Sequence, residues 1–345
     1  MITSLSRTRT DVQDYIVESF DLPSPSWGEF RDFTERLYGD DPFWSHPADP
    51  PADAGARAFI VRADGRIVAG ACCMINDGIC LDGQRTALVG WYEAMDDPDA
   101  AARLFDGIAE HYRGMGCRRL LGPLNGSTWH RYRVALPSDA DPFFLDVRNR
   151  PWYAAQWEGR GFATVARYFS TKVSGLDRPY DRVGRFEEIY RSRGVTVRPV
   201  DTGRFEEELL KLYRLSLEGF AGNLFYTPIS FESFRDLYMP IRPLVDPAFV
   251  LIASGDDGRP LAFIFAVNNI HETAKRSLII KTVVAAPDAP RGLGTFLAEK
   301  VHAAAKERGY DEVIHALMHE ENVSMNVLAG ISAPYRNYRL YGADC

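Results

Sequence analysis

The stretch VVAAPDAPRGLGTFLAEKV, Val283 to Val301, runs an apolar β-branched segment into a proline-rich turn, two glycines one residue apart, and a helical pattern. Arg291, Gly292, Leu293 and Gly294 read either as a cradle for a phosphorylated group or as a tight turn between strand and helix. That choice decides both the fold and the function.

A repeat in the chain bears on it. FIVRADGRIVAGACC, from Phe59, and FVLIASGDDGRPLAFIFA, from Phe249, are each two apolar strands around Asp-Gly-Arg, a hairpin signal. Their turn glycines, Gly65 and Gly258, lie 258 − 65 = 193 residues apart. HYRGMGCRRLL and AKERGYDEVI each end a helical pattern on a glycine and then start a strand; Gly116 and Gly309 are again 309 − 116 = 193 apart. Two landmarks at one offset predict a duplicated α/β unit: helical segments, an antiparallel hairpin, a long strand, a helix and a further strand. LDRPYDRVGRF, with Pro179 and no periodicity, reads as the linker.

At the same offset, Arg291, Gly292 and Gly294 correspond to Pro98, Asp99 and Ala101. Copy one thus has AMDDPDAAARL where copy two has its glycines. Its aspartates would repel an anion and instead suit helix capping. Copy two has no acid between Asp288 and Glu299, carries Arg291, and lets the backbone approach closely at Gly292 and Gly294. A helix starting there aims free N–H groups and a positive dipole end at an anion.

Composition narrows the function. At 345 residues the chain suits about two domains. With 46% hydrophobic and 25% charged residues it is of ordinary globular type. A net charge of −7 with interspersed signs argues against nucleic acid as a partner. No apolar run is long enough to span a bilayer and the N-terminus lacks a signal-peptide pattern, so a cytoplasmic protein is expected. Five cysteines without a C-x-x-C pair suit neither a disulfide framework nor zinc, and no metal is expected.

The order hairpin, long strand, APRGLG, helix, Gly309, YDEVIHALM and ENVSMNVLAGI resembles the GNAT superfamily of acyl-CoA-dependent N-acyltransferases, and within it the bacterial tandem proteins. The resemblance implies two tandem GNAT-like α/β units, each a mixed twisted sheet flanked by helices: residues 1–180 degenerate, residues 181–345 with an acyl-CoA site. It implies that Arg291, Gly292, Leu293, Gly294 and Thr295 hold the CoA pyrophosphate. The preceding strand, at Val283, Val284 and Ala285, would diverge from its neighbour and offer backbone N–H groups to the thioester. Asn322 and Asn326 join the cofactor set. Two positions depart from the family pattern: Ala289 stands where Gln or Arg is usual, and Asn326 where a tyrosine normally protonates the leaving thiolate.

Acyl transfer to an amine needs a neutral nucleophile, an oxyanion donor and a proton for the sulfur. YRNYRLYG offers Tyr335, Tyr338 and Tyr341, of which Tyr338 is the candidate acid; packing on a last strand is the plainer reading of each. Glu218, in YRLSLEGFAGNLFYTPIS, is the candidate base, with Asn223 and Tyr226 beside the acceptor. His315 and His319 read as structural histidines. GPLNGSTWHRYRVALP suggests a pocket wall built from Asn125, Trp129 and Arg133, or else a loop whose Trp129 plugs the domain interface.

The expected activity is transfer of an acyl group, acetyl in the first instance, from CoA or an acyl carrier protein to a small-molecule amine. The rivals are a non-catalytic acyl-CoA-binding or regulatory protein, and an aminoacyl-tRNA-dependent ligase, which the net charge and the lack of a charged helical arm disfavour.

Overall fold

The computed structural model describes residues 14–51, 54–321 and 331–345. Copy one contributes β1 (Tyr15–Asp21), α1 (Ser26–Leu37), β2 (Arg57–Ala63), β3 (Arg66–Leu81), β4 (Gln84–Ala94), α2 (Pro98–Gly114), β5 (Arg119–Gly122), β6 (Val134–Ala135), α3 (Tyr153–Gly159) and β7 (Ala163–Ser174). Copy two contributes α4 (Asp181–Arg191), β8 (Thr196–Pro199), α5 (Phe205–Gly219), α6 (Phe231–Tyr238), β9 (Val250–Ser254), β10 (Pro260–Asn268), β11 (Ser277–Ala285), α7 (Leu293–Glu307), β12 (Glu312–His319) and β13 (Ala333–Asp344).

The landmark residues act as their chemistry requires. Asp64 and Gly65, both at positive φ, form the two-residue turn between β2 and β3, a geometry that matches the twist of the flanking strands. Gly116 and Gly309, at φ 82° and 71°, terminate α2 and α7 before the next strands. In α2 the buried side chains Ala100, Leu104, Phe105, Ile108 and Tyr112 recur at helical spacing and lie on the sheet.

The strands of the described residues join one mixed sheet, in the order β1-β2-β3-β4-β5-β13-β7-β12-β11-β10-β9-β8, with β6 attached to β13. The two copies exchange their last strands. β13, from copy two, pairs with β5 of copy one, and β7, from copy one, pairs with β12 of copy two. β7 and β13 also pair with each other along Ala333–Gly342. A boundary at residues 180/181 therefore cuts the chain but not the sheet.

α2, α3, α4 and α7 cover one face of the sheet and α1, α5 and α6 the other. Alternation along β7 shows the division: Tyr168 packs with the α1 cluster and Phe169 with the α7 cluster. Segment 123–149 crosses the α1/α5 face and touches both copies.

Candidate active site

In copy two the parallel ladder between β11 and β12 stops at the pair Ile280 and His315. β11 then runs on to Ala285 and β12 to His319, so a gap opens between them. The β11–β12 side of this gap is where the resemblance places a thioester. Copy one starts the same way, with β4 and β5 paired over Thr86–Leu88 and Arg119–Leu121, but its gap is filled. Leu124 N donates to the Val89 carbonyl at 2.9 Å, and Asn125 Oδ1 accepts from Trp91 N at 2.9 Å. Gly90 lies so close that a Cβ there would meet the Leu124 carbonyl at 2.6 Å.

The helix starts differ in the same sense. α2 is capped by Asp97, whose carboxylate accepts from Asp99 N and Ala100 N and from Tyr15 OH. α7 starts from Gly292, at φ 85°, with no side-chain cap and no acid in its first turn. Tyr190 OH donates to the Arg291 carbonyl at 3.0 Å and fixes that turn. A Cβ on Gly294 would sit 3.1 Å from Val283 Cγ1, so the helix start lies directly on β11. Val283 and Ala285 are exposed, Val284 and Leu293 buried, and Arg291 points to solvent. These residues fit a pyrophosphate. Asn322 and Asn326 lie outside the described residues.

Lys281, which sequence reasoning missed, is the first residue of β11 beyond the last pair with β12. It is the extra residue of a bulge, since Phe265 pairs with Thr282 and Ala266 with Ile280; bulges re-aim side chains. Its Nζ donates to the Leu145 carbonyl at 3.0 Å, and burial, reinforced by the nearby Arg133 charge, brings its pKa down to about 7. A lone lysine in the apolar run LIIKTVV was the available signal.

A small apolar pocket lies on the α5 face beside β11. Leu209 and Leu212 of α5, Phe234 and Tyr238 of α6, and Phe265 and Thr282 of the sheet line it. Thr282, its lining residue on β11, is two residues past the last β11–β12 pair. Gly219 lets α5 close down, because a Cβ there would meet Val284 Cγ1 at 2.4 Å.

The structure relocates most of the acceptor-side expectations. Asn125 is buried and plugs copy one, as above. Trp129 donates to the Thr227 carbonyl at 2.9 Å and packs on Phe220, Tyr226 and Phe234, so it pins the α5–α6 connection to segment 123–149 rather than facing a pocket. Tyr226 OH is buried without a partner among the described residues, and Asn223 is exposed. Glu218, half exposed, is an ion-pair partner of Arg259, which also holds Asp288. Tyr338 is 1% exposed; its hydroxyl donates to Asp146 Oδ1 at 2.8 Å and meets Ser170 Oγ at 3.1 Å. Burial and Asp146 raise its pKa well above the usual phenol range. Ser170 Oγ in turn accepts from Leu317 N at 3.0 Å, so Tyr338 reaches the β12 wall only through Ser170. His315 and His302 share a 2.8 Å bond between β12 and α7, and burial lowers the pKa of each, as suits a structural pair.

Arg133 holds the two copies together. Its guanidinium lies 3.7 and 4.0 Å from the ring centres of Tyr132 and Tyr168, and Nη1 donates to the Leu317 carbonyl at 3.1 Å. Arg133→Ala removes a desolvated cation–π contact and a charged hydrogen bond, about 2–4 kcal/mol together. A melting temperature lower by several degrees is the expected result; an unchanged melting temperature would contradict the interface role.

No family model matches the chain. Protein YghO of Escherichia coli K12 is 25% identical over 258 residues, covering 70% of this chain and 66% of that protein. A protein named bacterial ceramide synthase, from Caulobacter vibrioides, is 24% identical over 199 residues, 55% of this chain and 50% of that one. The chain thus spans half to about two thirds of the length of these relatives. Among solved structures, a tandem GNAT protein from the clavulanic acid biosynthesis pathway superposes with a TM-score of 0.53 at 15% identity, over 95% of this chain and 98% of that one.

Proposed function

The chain is a tandem GNAT-fold protein, and on that premise we propose that copy two is an acyl-CoA-dependent N-acyltransferase site and copy one its structural complement. The asymmetry of the helix starts carries the reading: Gly292 is open, Asp97 is self-capped, and the strand gap follows suit, open in one copy and plugged by Asn125 in the other. The same fold position was kept for an anion in only one copy.

Bound, an acyl-CoA would supply an activated carbonyl and a thiolate leaving group. The start of α7 would hold its phosphates, and the N–H groups of β11 beyond Ile280 would meet the carbonyl. The relative named for ceramide synthesis supports an acyl chain longer than acetyl, since a ceramide is a long-chain amide. Lys281, whose buried ammonium has its pKa brought down to about 7, would take the proton of the incoming amine. Tyr338 keeps Asp146 and Ser170 in place. Among the described residues no helix is long and apolar enough to cross a membrane, and no cluster of acids, histidines or cysteines suits a metal.

Calorimetry with CoA, acetyl-CoA and dodecanoyl-CoA, followed by turnover with a long-chain amine, tests this. Each methylene buried on binding adds about 0.8 kcal/mol, roughly fourfold in affinity. Lys281→Met is expected to lower turnover by about 10²–10⁴-fold and to remove the rise in rate through pH 7, with donor affinity unchanged. A variant that keeps the wild-type pH profile overturns the role of Lys281. Absence of binding by every donor overturns the reading as a whole, and binding only to an acylated carrier protein changes the donor but not the site.

A further inference from the structure

We propose that Asp146, carried by copy one, is the positioning residue for Lys281: it fixes the turn whose carbonyl holds that amine, and it sets the charge the amine carries in copy two. The catalytic consequence rests on the acyl-transfer reading; the electrostatic tie between the two residues does not.

Residues 143–146 form a tight turn, with Asp146 N donating to the Phe143 carbonyl at 3.1 Å and Leu145 at φ 64°. A positive φ at that place in a turn suits glycine, and a leucine there is strained. Contacts from both copies hold it. Phe143 is buried in the core of copy two, and Phe144 N donates to Asn269 Oδ1 at 2.9 Å. Arg148, just beyond the turn, donates to both oxygens of Asp41 at 2.8 and 2.7 Å. What the strained turn presents is one carbonyl, that of Leu145, which accepts from Lys281 Nζ at 3.0 Å.

Asp146 ties this turn to the opposite wall of the strand gap. Its side chain is wholly buried: Oδ1 accepts from Val147 N at 2.7 Å and from Tyr338 OH at 2.8 Å, and Oδ2 forms an ion pair with Arg336 Nε at 2.8 Å. Through Tyr338 and Ser170 the chain of bonds ends at Leu317 N on β12. Leu317 is itself at φ 59°, and its carbonyl accepts from Arg133. Two leucines in a conformation that leucine disfavours, one beside β11 and one on β12, thus stand at the ends of one bonded chain. Such strain persists where the surroundings over-determine the backbone, and it concentrates at functional sites.

The charges are arranged about the same residue. Arg133 opposes the Lys281 ammonium and Asp146 favours it. β13 adds Arg336 and Tyr338, both engaged with Asp146. β10 flanks the bulge with Phe265 and Ala266, and β12 carries Ala316 and Leu317 past its last pair with β11. α5 brings one buried acid, Glu208, which is held by Arg198 and Lys211, and α6 brings the phenol of Tyr238. Among the described residues Asp146 is therefore the acid that acts on Lys281. Glu93, a lone buried acid on β4, is bonded by Tyr38 OH and Tyr153 OH at 2.8 and 2.6 Å and stays within copy one.

The test is the titration of Lys281 in the full chain, read from the Cε resonance of protein labelled with ε-13C lysine. The chain has six lysines, and the signal missing from Lys281→Met is the one to follow. In the wild type it should titrate near pH 7. Asp146→Asn removes the favouring charge and leaves Arg336 unpaired, so the midpoint should fall by about one unit. The rising limb of the rate profile should fall with it. Arg336→Gln leaves Asp146 uncompensated, and the midpoint should rise. A role confined to structure would lower the melting temperature of either variant and leave both midpoints in place, and that result overturns the proposal. A wild-type midpoint in the ordinary lysine range overturns it as well. If one variant does not fold, the other decides alone. A midpoint that shifts in a protein that transfers no acyl group from any donor would remove the acyl-transfer reading and leave Asp146 as the residue that sets the charge of Lys281.

Discussion

Gly294→Asp is expected to weaken CoA binding by at least 100-fold while leaving the fold intact. The added Cβ would press on Val283, 3.1 Å away, and the carboxylate would occupy the space at the open helix start that the phosphates need. An acid in a first helical turn stabilises the helix itself and works against the cost of that contact, and the melting temperature separates lost binding from lost fold. A control change at the copy-one helix start, Asp99→Ala, falls on an exposed residue and should leave CoA affinity unchanged. Ala101, the direct repeat partner of Gly294, is fully buried, and a charge placed there would report only on stability. Calorimetry together with thermal melts checks both variants. Wild-type affinity in Gly294→Asp, or equal loss in Asp99→Ala, would put the phosphates elsewhere.

Residues 181–345 expressed alone should fail to fold, and residues 1–180 likewise. Without β7, strand β12 loses its antiparallel neighbour; without β5, β6 and β7, strand β13 loses every strand it pairs with among the described residues. Leu340 and Tyr338, buried in the joined sheet, would face water, and an unpaired apolar strand edge invites aggregation. Co-expression of both halves should restore a soluble one-to-one complex. Gel filtration and circular dichroism decide the matter, and a monodisperse, folded 181–345 fragment would show that the exchange is dispensable.

What could be read in the sequence follows from how local each signal is. The repeat, its hairpins, and the strand-loop-helix unit at Gly292 depend on turn glycines and periodicity within about twenty residues, and they appear in the fold where those signals stand. The strand exchange leaves no such trace, because β7 and β13 alternate in the same way whichever sheet edge they join. The position of Asn125 was illegible for a related reason. A polar residue after a strand has the same appearance whether it lines a pocket or caps the Trp91 N–H, and only the closeness of β4 separates the two. Trp129 likewise shows its role only through Phe220, Tyr226 and Phe234, about a hundred residues away. Glu93 and Lys281 were legible in principle, as single charges in otherwise apolar strands, GWYEAM and LIIKTVV. A lone charge in a buried strand must be neutralised or used, and either outcome marks a place to look.

The exchanged strands also govern the order of events during synthesis. Tyr341 pairs with Gly122 and Gly342 with Leu121, partners more than two hundred residues apart. The sheet of copy one therefore cannot close when residues 1–180 have left the ribosome; it waits, with the edge of β5 unmatched, until residues 333–344 emerge. Contacts so distant along the chain form slowly. While they are pending, an open edge and uncovered core are the surfaces by which nascent chains aggregate. A cell making this protein has an interval to guard, set by the translation time of copy two, and synonymous changes that slow decoding in that half would lengthen it without altering any residue of the finished molecule.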